Sequence, residues 1–330
     1  MKIAVVILNW NGRSLLEEFL PSVVAHSDLA RVYVADNASQ DDSITYVKQN
    51  FPTVRIIQNQ VNGGYAQGYN QALEHLDEQL LILLNSDVQV TPDWLVPILN
   101  FFQLHPEVAA AQPKILDYNN RDRFEYAGAA GGYIDLLGYP YCRGRMFSTV
   151  EKDEGQYDQP VPIFWASGAC LIIRNEIFKE AGGFDEDYFA HQEEIDLCWR
   201  LFNKRYQVWA IPESVVYHLG GGTLDNQHPR KTFFNFRNSL YSLIKNVPGP
   251  QVIILIFSRL ILDGIAGILF LFQGRGRHTW AIVRAHFSFY SHLALLLRKR
   301  KELAGHGKYY KISSVVKAYY IEGKKRFKDL

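Results

Sequence analysis

Cysteine is scarce in this 330-residue chain: Cys142, Cys170 and Cys198 are the full complement. Their odd number and wide separation exclude a disulfide framework. No CxxC or other metal spacing occurs, so the composition points to a reducing compartment. Net charge is nearly absent as well, at +1. The chain has no P-loop and no GxGxxG, which removes the commonest nucleotide-hydrolase and dehydrogenase readings. No internal repeat is present. The first apolar run, Ile3 to Leu8, stops after six residues at Asn9 with no small-residue cleavage site behind it. A buried first strand fits that run better than a secretory signal. With 48% apolar residues, global disorder is excluded too.

The small net charge conceals an asymmetry. From Gly274 onward there are 14 basic and 3 acidic residues, which leaves 21 of the 35 basic and 31 of the 34 acidic residues for 1–273. An acidic body therefore carries a basic tail, and basic tails bind nucleic acid or anionic membrane.

Residues 1–120 alternate apolar runs with helical patterns. Strands are expected over 2–8, 32–36, 54–59 and 80–85, and helices over 14–26, 40–50 and 65–76. Apolar strands separated by helices imply a mostly parallel sheet covered on both faces, with ligands at the carboxyl ends of the strands. Residues 121–160 are rich in Gly, Tyr and Asp with weak periodicity and are expected to be irregular loops. Residues 161–219 hold a strand, an acidic helix and a further short strand.

Five polar clusters carry the chemistry. Asn9-Trp10-Asn11-Gly12 and Asp36-Asn37-Ala38-Ser39 follow two strands, where an aromatic face and hydrogen-bonding groups suit a nucleotide base; helix capping explains the same residues equally well. Asn62-Gly63-Gly64-Tyr65 opens a helix, exposing N–H groups that favour an anion such as a diphosphate. Asp87, in Asn85-Ser86-Asp87, can hold a divalent cation or cap a turn. Glu193-Glu194-Ile195-Asp196 packs three carboxylates at a helix start. Capping accounts for one or two, and mutual repulsion raises the pKa of at least one, as a general base requires. Asp196 and Arg200 are spaced to pair, which leaves Glu194 to face the cleft. His218, ahead of Gly220-Gly221-Gly222-Thr223, closes the series; such a histidine is more often structural, but the glycines allow close approach.

In this order the clusters resemble the family 2 glycosyltransferases, in particular their rhamnosyltransferase-like bacterial branch, over residues 2–245. The resemblance implies a GT-A fold (Rossmann-like α/β, mostly parallel sheet with helices on both faces) over 1–245 and a helical, membrane-associating region over 246–330. It implies inverting transfer of a sugar from a nucleotide-diphosphate donor, with Mg²⁺ or Mn²⁺ as cofactor. Donor contacts fall on Asn9, Trp10, Asn11, Asp36, Asn37, Ser39, Asn62, Gly63, Gly64, Tyr65, Asn85 and Asp87. Metal binding falls on Asp87 and His218, the base on Glu194 with Glu193 and Asp196 beside it, and the acceptor side on Trp165, Gly168 and Ala169. Two positions depart from the family pattern. Asn85 stands where DxD begins, which weakens chelation by two carboxylates. Glu194 stands where Asp is usual, a change in reach of about 1.5 Å. A nucleotidyltransferase shares the strand-end carboxylates but has little use for the acidic helix. A non-catalytic nucleotide-sugar-binding subunit is the rival of another class, made plausible by Asn85.

Residues 252–272 form a 21-residue apolar stretch interrupted by Arg259 and Asp263. The length would span a bilayer, but each mid-segment charge costs a few kcal/mol there. Trp280, Phe287, Phe289 and Tyr290 follow among Arg and His, then Arg298-Lys299-Arg300-Lys301. That make-up suits a helix lying on an anionic membrane surface, which places the protein in the cytoplasm at the inner face. A helical cap or a face that pairs two copies is the other reading. Nucleic acid is disfavoured, because the basic residues accompany apolar runs. The implied acceptor is a saccharide, lipid-linked or on the cell surface.

Overall fold

The computed structural model describes residues 1–220, 228–301 and 307–330, the side chain of Lys301 apart. Ile3–Asn9 (β1), Ala30–Asp36 (β2), Arg55–Gln58 (β3) and Leu80–Asn85 (β4) are parallel, in the order β3-β2-β1-β4. Arg13–Ala25 (α1), Ser43–Asn50 (α2) and Gly64–Leu73 (α3) make the crossovers. Side chains alternate across a strand, so β1 feeds two cores. Ile3, Val5 and Ile7 join Leu16, Leu20 and Ile98 on one face, and Ala4 and Val6 join Ala66, Tyr69 and Leu73 on the other.

The chain continues through Val88–Val90 (β5), Leu95–Leu104 (α4) and Val108–Asp117 (β6). A small sheet follows, built from Gly132–Ile134 (β7), Pro140–Cys142 (β8), Arg145–Met146 (β9) and Thr149–Val150 (β10). Val161–Ile163 (β11) and Cys170–Arg174 (β12) come next, then Asn175–Glu180 (α5), Glu193–Asn203 (α6) and Gln207–His218 (β13). The large sheet runs β11-β13-β6-β12-β4-β1-β2-β3, with β5 paired to β13. Among its longer strands β12 alone is antiparallel to its neighbours, so the sheet is mostly parallel.

Residues 121–160 differ from expectation: they are ordered, with Phe124, Tyr133, Tyr141, Cys142 and Met146 buried. Strands of two or three residues are too short to display a period of two, so the sequence conceals them. The second expected short strand is instead the twelve-residue β13.

Pro229–Asn246 (α7), Val252–Phe272 (α8), Gly276–Lys301 (α9) and Val315–Tyr320 (α10) complete the chain. The tail returns to the small sheet, where Asp135 accepts from Val315 N at 2.9 Å and Glu151 from Phe327 N at 3.0 Å. The two charges of α8 face inward. Arg259 lies over the Tyr139 ring at 3.8 Å, donates to Leu137 O and Ser239 Oγ at 2.8 Å, and sits 3.5 Å from Asp263. The opposite face of α8, including Ile254, Phe257, Ile261, Ile265 and Ile268, is exposed.

A buried ionic network joins α6, α7 and α9. Lys245 lies between Asp185, at 2.5 Å, and Asp196, at 2.8 Å. Arg200 holds the other oxygen of Asp196 at 2.9 Å, and Lys299 reaches Asp185 and Asp187. Burial alone would raise the Asp196 carboxyl, but Lys245 and Arg200 hold it well below the usual carboxylate range; Asp185 is lowered likewise. Lys245→Met leaves these carboxylates short of a partner and is expected to destabilise the fold by about 3–5 kcal/mol, read from denaturant midpoints. Carboxyls depressed by folding give stability that is present above about pH 4 and lost as pH falls through their lowered values. Wild type should therefore lose stability in acid more steeply than the variant, and parallel acid limbs would count against the network.

Candidate active site

The polar clusters meet at the carboxyl ends of β1, β2 and β4, as a parallel sheet requires. Asn9 Nδ2 reaches Asp36 Oδ1 at 3.3 Å, Ser39 Oγ at 3.2 Å and Ser43 Oγ at 2.9 Å. Ser39 also accepts from Asn11 N at 2.9 Å, and Asp36 accepts from Ser39 N at 3.2 Å. Asn9, Asn11 and Ser39 thus fix the loops around a buried Asp36, while Trp10 stands 50% exposed beside them.

Asn37 carries this frame to the glycine turn, donating to Asn62 Oδ1 at 3.0 Å and to Gly64 O at 2.9 Å. Gly64 has φ +73°, and a Cβ there would lie 2.3 Å from Phe189 O. Tyr65 N donates to that same carbonyl at 2.8 Å. The tight contact ties the turn to the segment that leads into α6. Gly63, with φ −84°, carries no such conformational demand. Tyr65 Oη donates to Gly168 O at 2.9 Å, and Ala169 O accepts from Asn85 N at 3.0 Å. Trp165 is a correction: it is buried, with its indole N–H donated to Tyr133 O at 3.0 Å, so it joins the small sheet to the core and does not face an acceptor.

Asp87 and His218, 131 residues apart, meet because β5 pairs with the end of β13. His218 Nε2 lies 3.1 Å from Asp87 Oδ1, with Asn85 Nδ2 at 3.5 Å. Its Nδ1 lies 3.4 Å from Glu125 Oε1. Burial disfavours the imidazolium, but the carboxylates of Glu125 and Asp87 outweigh it and raise His218 to about 10. Glu125 sits in the stretch without readable pattern and carries no sequence signal. Gly221, Gly222 and Thr223 lie outside the described residues.

Among the described residues, no group of three or more His, Cys, Asp and Glu side chains forms a complete cation cage. Without a cation His218 holds both ring protons, and a hard divalent cation beside Asp87 would take the place of the Nε2 proton, with its other ligands from phosphate and water. Glu125, 3.4 Å from the far ring nitrogen, stands on the side where a metal-binding histidine normally has a carboxylate partner.

Ahead of α6 the backbone is forced into the left-handed region at Phe189, His191 and Gln192, with φ 61°, 68° and 68°. Non-glycine residues hold such angles only where neighbours fix them. Here Asn238 Nδ2 donates to the carbonyls of Tyr188, Ala190 and His191 at 2.7–3.2 Å. The result is a pair of carboxyls, Glu193 and Glu194, each with one buried oxygen lacking a partner. Burial and the Glu194 charge raise Glu193. Burial pushes Glu194 up to about 7, against helix-start N–H groups that lower it. Asp196 departs from expectation. Arg200 pairs with it as the spacing foretold, but Lys245 takes its other oxygen, so its part is structural.

Residues 4–182 match the model of the family described as Glycosyl transferase family 2. The chain belongs to that family. A relative at 30% identity over 233 residues, covering 65% of this chain and 75% of its own, is the N-acetylglucosaminyl-diphospho-decaprenol L-rhamnosyltransferase of Mycobacterium tuberculosis. Haloferax volcanii supplies a second, the low-salt glycan biosynthesis hexosyltransferase Agl10, at 22% identity over 60% of this chain and 61% of its own. Among solved structures, GalNAc-T7 with UDP, GalNAc and Mn²⁺ superposes with TM-score 0.54 at 20% identity, over 66% of this chain and 43% of that one. The Pyrobaculum calidifontis mannosyltransferase PcManGT with GDP-Man and Mn²⁺ gives 0.52 at 15% identity, over 88% and 75%. These likenesses show the GT-A fold, and the family makes this chain a glycosyltransferase, which removes the nucleotidyltransferase and non-catalytic readings.

In this glycosyltransferase the contact between Gly64 and Phe189 O locks the glycine turn to the acidic segment. Gly64→Ala adds a collision to the strain of a left-handed alanine, whereas Gly182, at φ +77° with nothing within 4 Å, brings strain alone. Gly182→Ala is expected to cost about 1 kcal/mol, and Gly64→Ala clearly more, in thermal unfolding. Equal losses would mean that the Phe189 segment yields freely.

Proposed function

We propose that the protein is an inverting glycosyltransferase using a UDP- or dTDP-sugar, dTDP-rhamnose foremost, and a hydroxyl of a lipid-linked or cell-surface saccharide. The observation that carries this reading is the Glu193–Glu194 pair, each with a buried oxygen lacking a partner. The pair is close enough to add to the burial that raises Tyr65, whose hydroxyl bonds Gly168 O beside the strand end bearing Asn85 and Asp87. Support for donor and acceptor comes from the rhamnosyltransferase relative, whose name carries a diphospho-decaprenol acceptor.

Trp10 would cover the base, and Asp36 has carboxylate lone pairs left to accept from a uracil or thymine imide N–H. Asn62, Gly64 and Tyr65 would line the donor. Asp87 and His218 would hold Mg²⁺ or Mn²⁺, which supplies charge neutralisation for the departing diphosphate. Glu194 takes the proton of the attacking hydroxyl while the nucleotide leaves from the opposite face of the sugar. Glu193, also raised by burial, stands beside it. One displacement inverts the anomeric carbon and needs no carboxylate nucleophile.

The reaction would take place at the cytoplasmic face of the cell membrane. The inward Arg259–Asp263 pair and the exposed apolar side of α8 favour a helix lying in the interface over one crossing it.

A donor panel with mass detection, run with and without vesicles, should show transfer from UDP- or dTDP-sugars. Equal or better use of GDP-sugars would overturn the base assignment. Glu194→Gln should lower kcat by about 10²–10⁴. A base must be deprotonated to act, so the wild-type rate should climb with pH through about 7, the value of Glu194, and the variant should lose that limb. A variant with the wild-type rate and profile would exclude Glu194 as the base.

A further inference from the structure

Between His228 and Lys301 the sequence has twelve Lys and Arg residues and one acidic residue, Asp263. Asp263 is buried against Arg259 and His286 and offers nothing to the surface. Three guanidinium groups of this stretch share one aromatic pair. The Phe233 and Phe234 rings lie 5.4 Å apart. Arg230 sits 5.5 Å from Phe234, Arg284 of α9 sits 5.5 Å from Phe233, and Arg237 lies between them at 5.2 and 5.1 Å.

Arg237 is committed to the carbonyls of Asp187 and Tyr188. Arg230 and Arg284 are exposed, and among the described residues no carboxylate pairs with either. Gathering like charges with no counter-charge among the described residues favours an incoming anion, and the guanidinium fork matches phosphate oxygens.

The position of the cluster narrows the anion. On one side Phe234 stacks on Phe189, at 5.7 Å and 15°, in the segment that delivers Glu194. On the other, Thr232 bonds His278 at 2.8 Å, and the His278 ring lies 5.1 Å from Phe270 near the end of α8. There Leu271 and Phe272 are 61% and 87% exposed. The basic cluster therefore lies between the proton-accepting carboxyls and an apolar helix face. A molecule with a sugar at one end, a hydrocarbon chain at the other and an anionic link between them has that order of chemistry.

We propose that Arg230 and Arg284 bind the diphosphate of a lipid-diphosphate-linked acceptor, whose hydrocarbon chain lies on the outer face of α8. This rests on the lipid-linked acceptor reading above and adds the residues and the charge of the link. Binding of the full chain to an alkyl diphosphate of N-acetylglucosamine, and to the neutral alkyl glycoside of the same sugar, is measured by calorimetry without donor. Wild type should prefer the diphosphate. Arg230→Gln and Arg284→Gln, on different helices and both at the surface, should each weaken diphosphate binding by about tenfold and collapse that preference. Arg→Lys at either position should restore part of it.

Equal weakening for both ligands, or undiminished diphosphate binding in both variants, overturns the proposal. So does loss of binding to phosphatidylglycerol vesicles with alkyl diphosphate binding intact, which would make the cluster a headgroup site. Because no donor is present, a wrong donor assignment leaves this result readable. Conversely, a wild type that transfers sugar but does not distinguish the two ligands would sink this inference alone.

Discussion

Lys245, sealed between Asp185 and Asp196, is the contact on which the catalytic half of the molecule turns. A charge buried this deeply is tolerable only with its counter-charges in place. Its partners come from the segment before α6 and from α6 itself, and Lys299 adds α9 through the same Asp185. Three helices are thereby fixed in mutual orientation by groups that cannot slide past one another as apolar side chains can. The first turn of α6, anchored through Asp196, is then able to hold something unfavourable beside it.

That unfavourable element is the Glu193–Glu194 pair. Glu194 and Asp196 are two residues apart on one helix, with opposite electrostatics. Asp196 is buried against two cations, which hold its carboxyl down, whereas Glu194 is half-buried without one and its carboxyl is pushed up. Neither value follows from residue type. The direction of each side chain decides, and the left-handed backbone at His191 and Gln192 sets that direction. Helix propensity alone would not choose those angles, so Asn238 and the Gly64 contact are as much a part of the site as the carboxyls.

The strands, crossover helices and polar strand ends were legible because a buried parallel sheet leaves long apolar runs closed by polar residues. Helix α8 coincides with the apolar stretch read from the sequence. Three things were hidden. The small sheet is made of strands too short to show a period. Trp165 looked like a site residue because the stretch from Trp165 to Ala169 resembles an acceptor-side loop, but its ring turns into the core. Glu125 was invisible for a further reason: it meets His218 only through the pairing of β6 with β13, and long-range pairing leaves no local pattern.

Helix α8 shows why composition alone misjudges a long apolar helix. Its length and hydropathy suit a crossing, and two charges at its middle argue against one. Both signals are averages around the helix, while the physics depends on which side each residue faces. Arg259 and Asp263 sit four residues apart on the side packed against Tyr139 and Ser239, so they meet protein and not lipid. The remaining surface is apolar along its whole length and ends beside arginines that have no carboxylate partner among the described residues. A helix crossing the bilayer on its own would have to surrender the Arg259 contacts to Leu137 and Ser239. A helix lying in the interface keeps them and still buries its outer face.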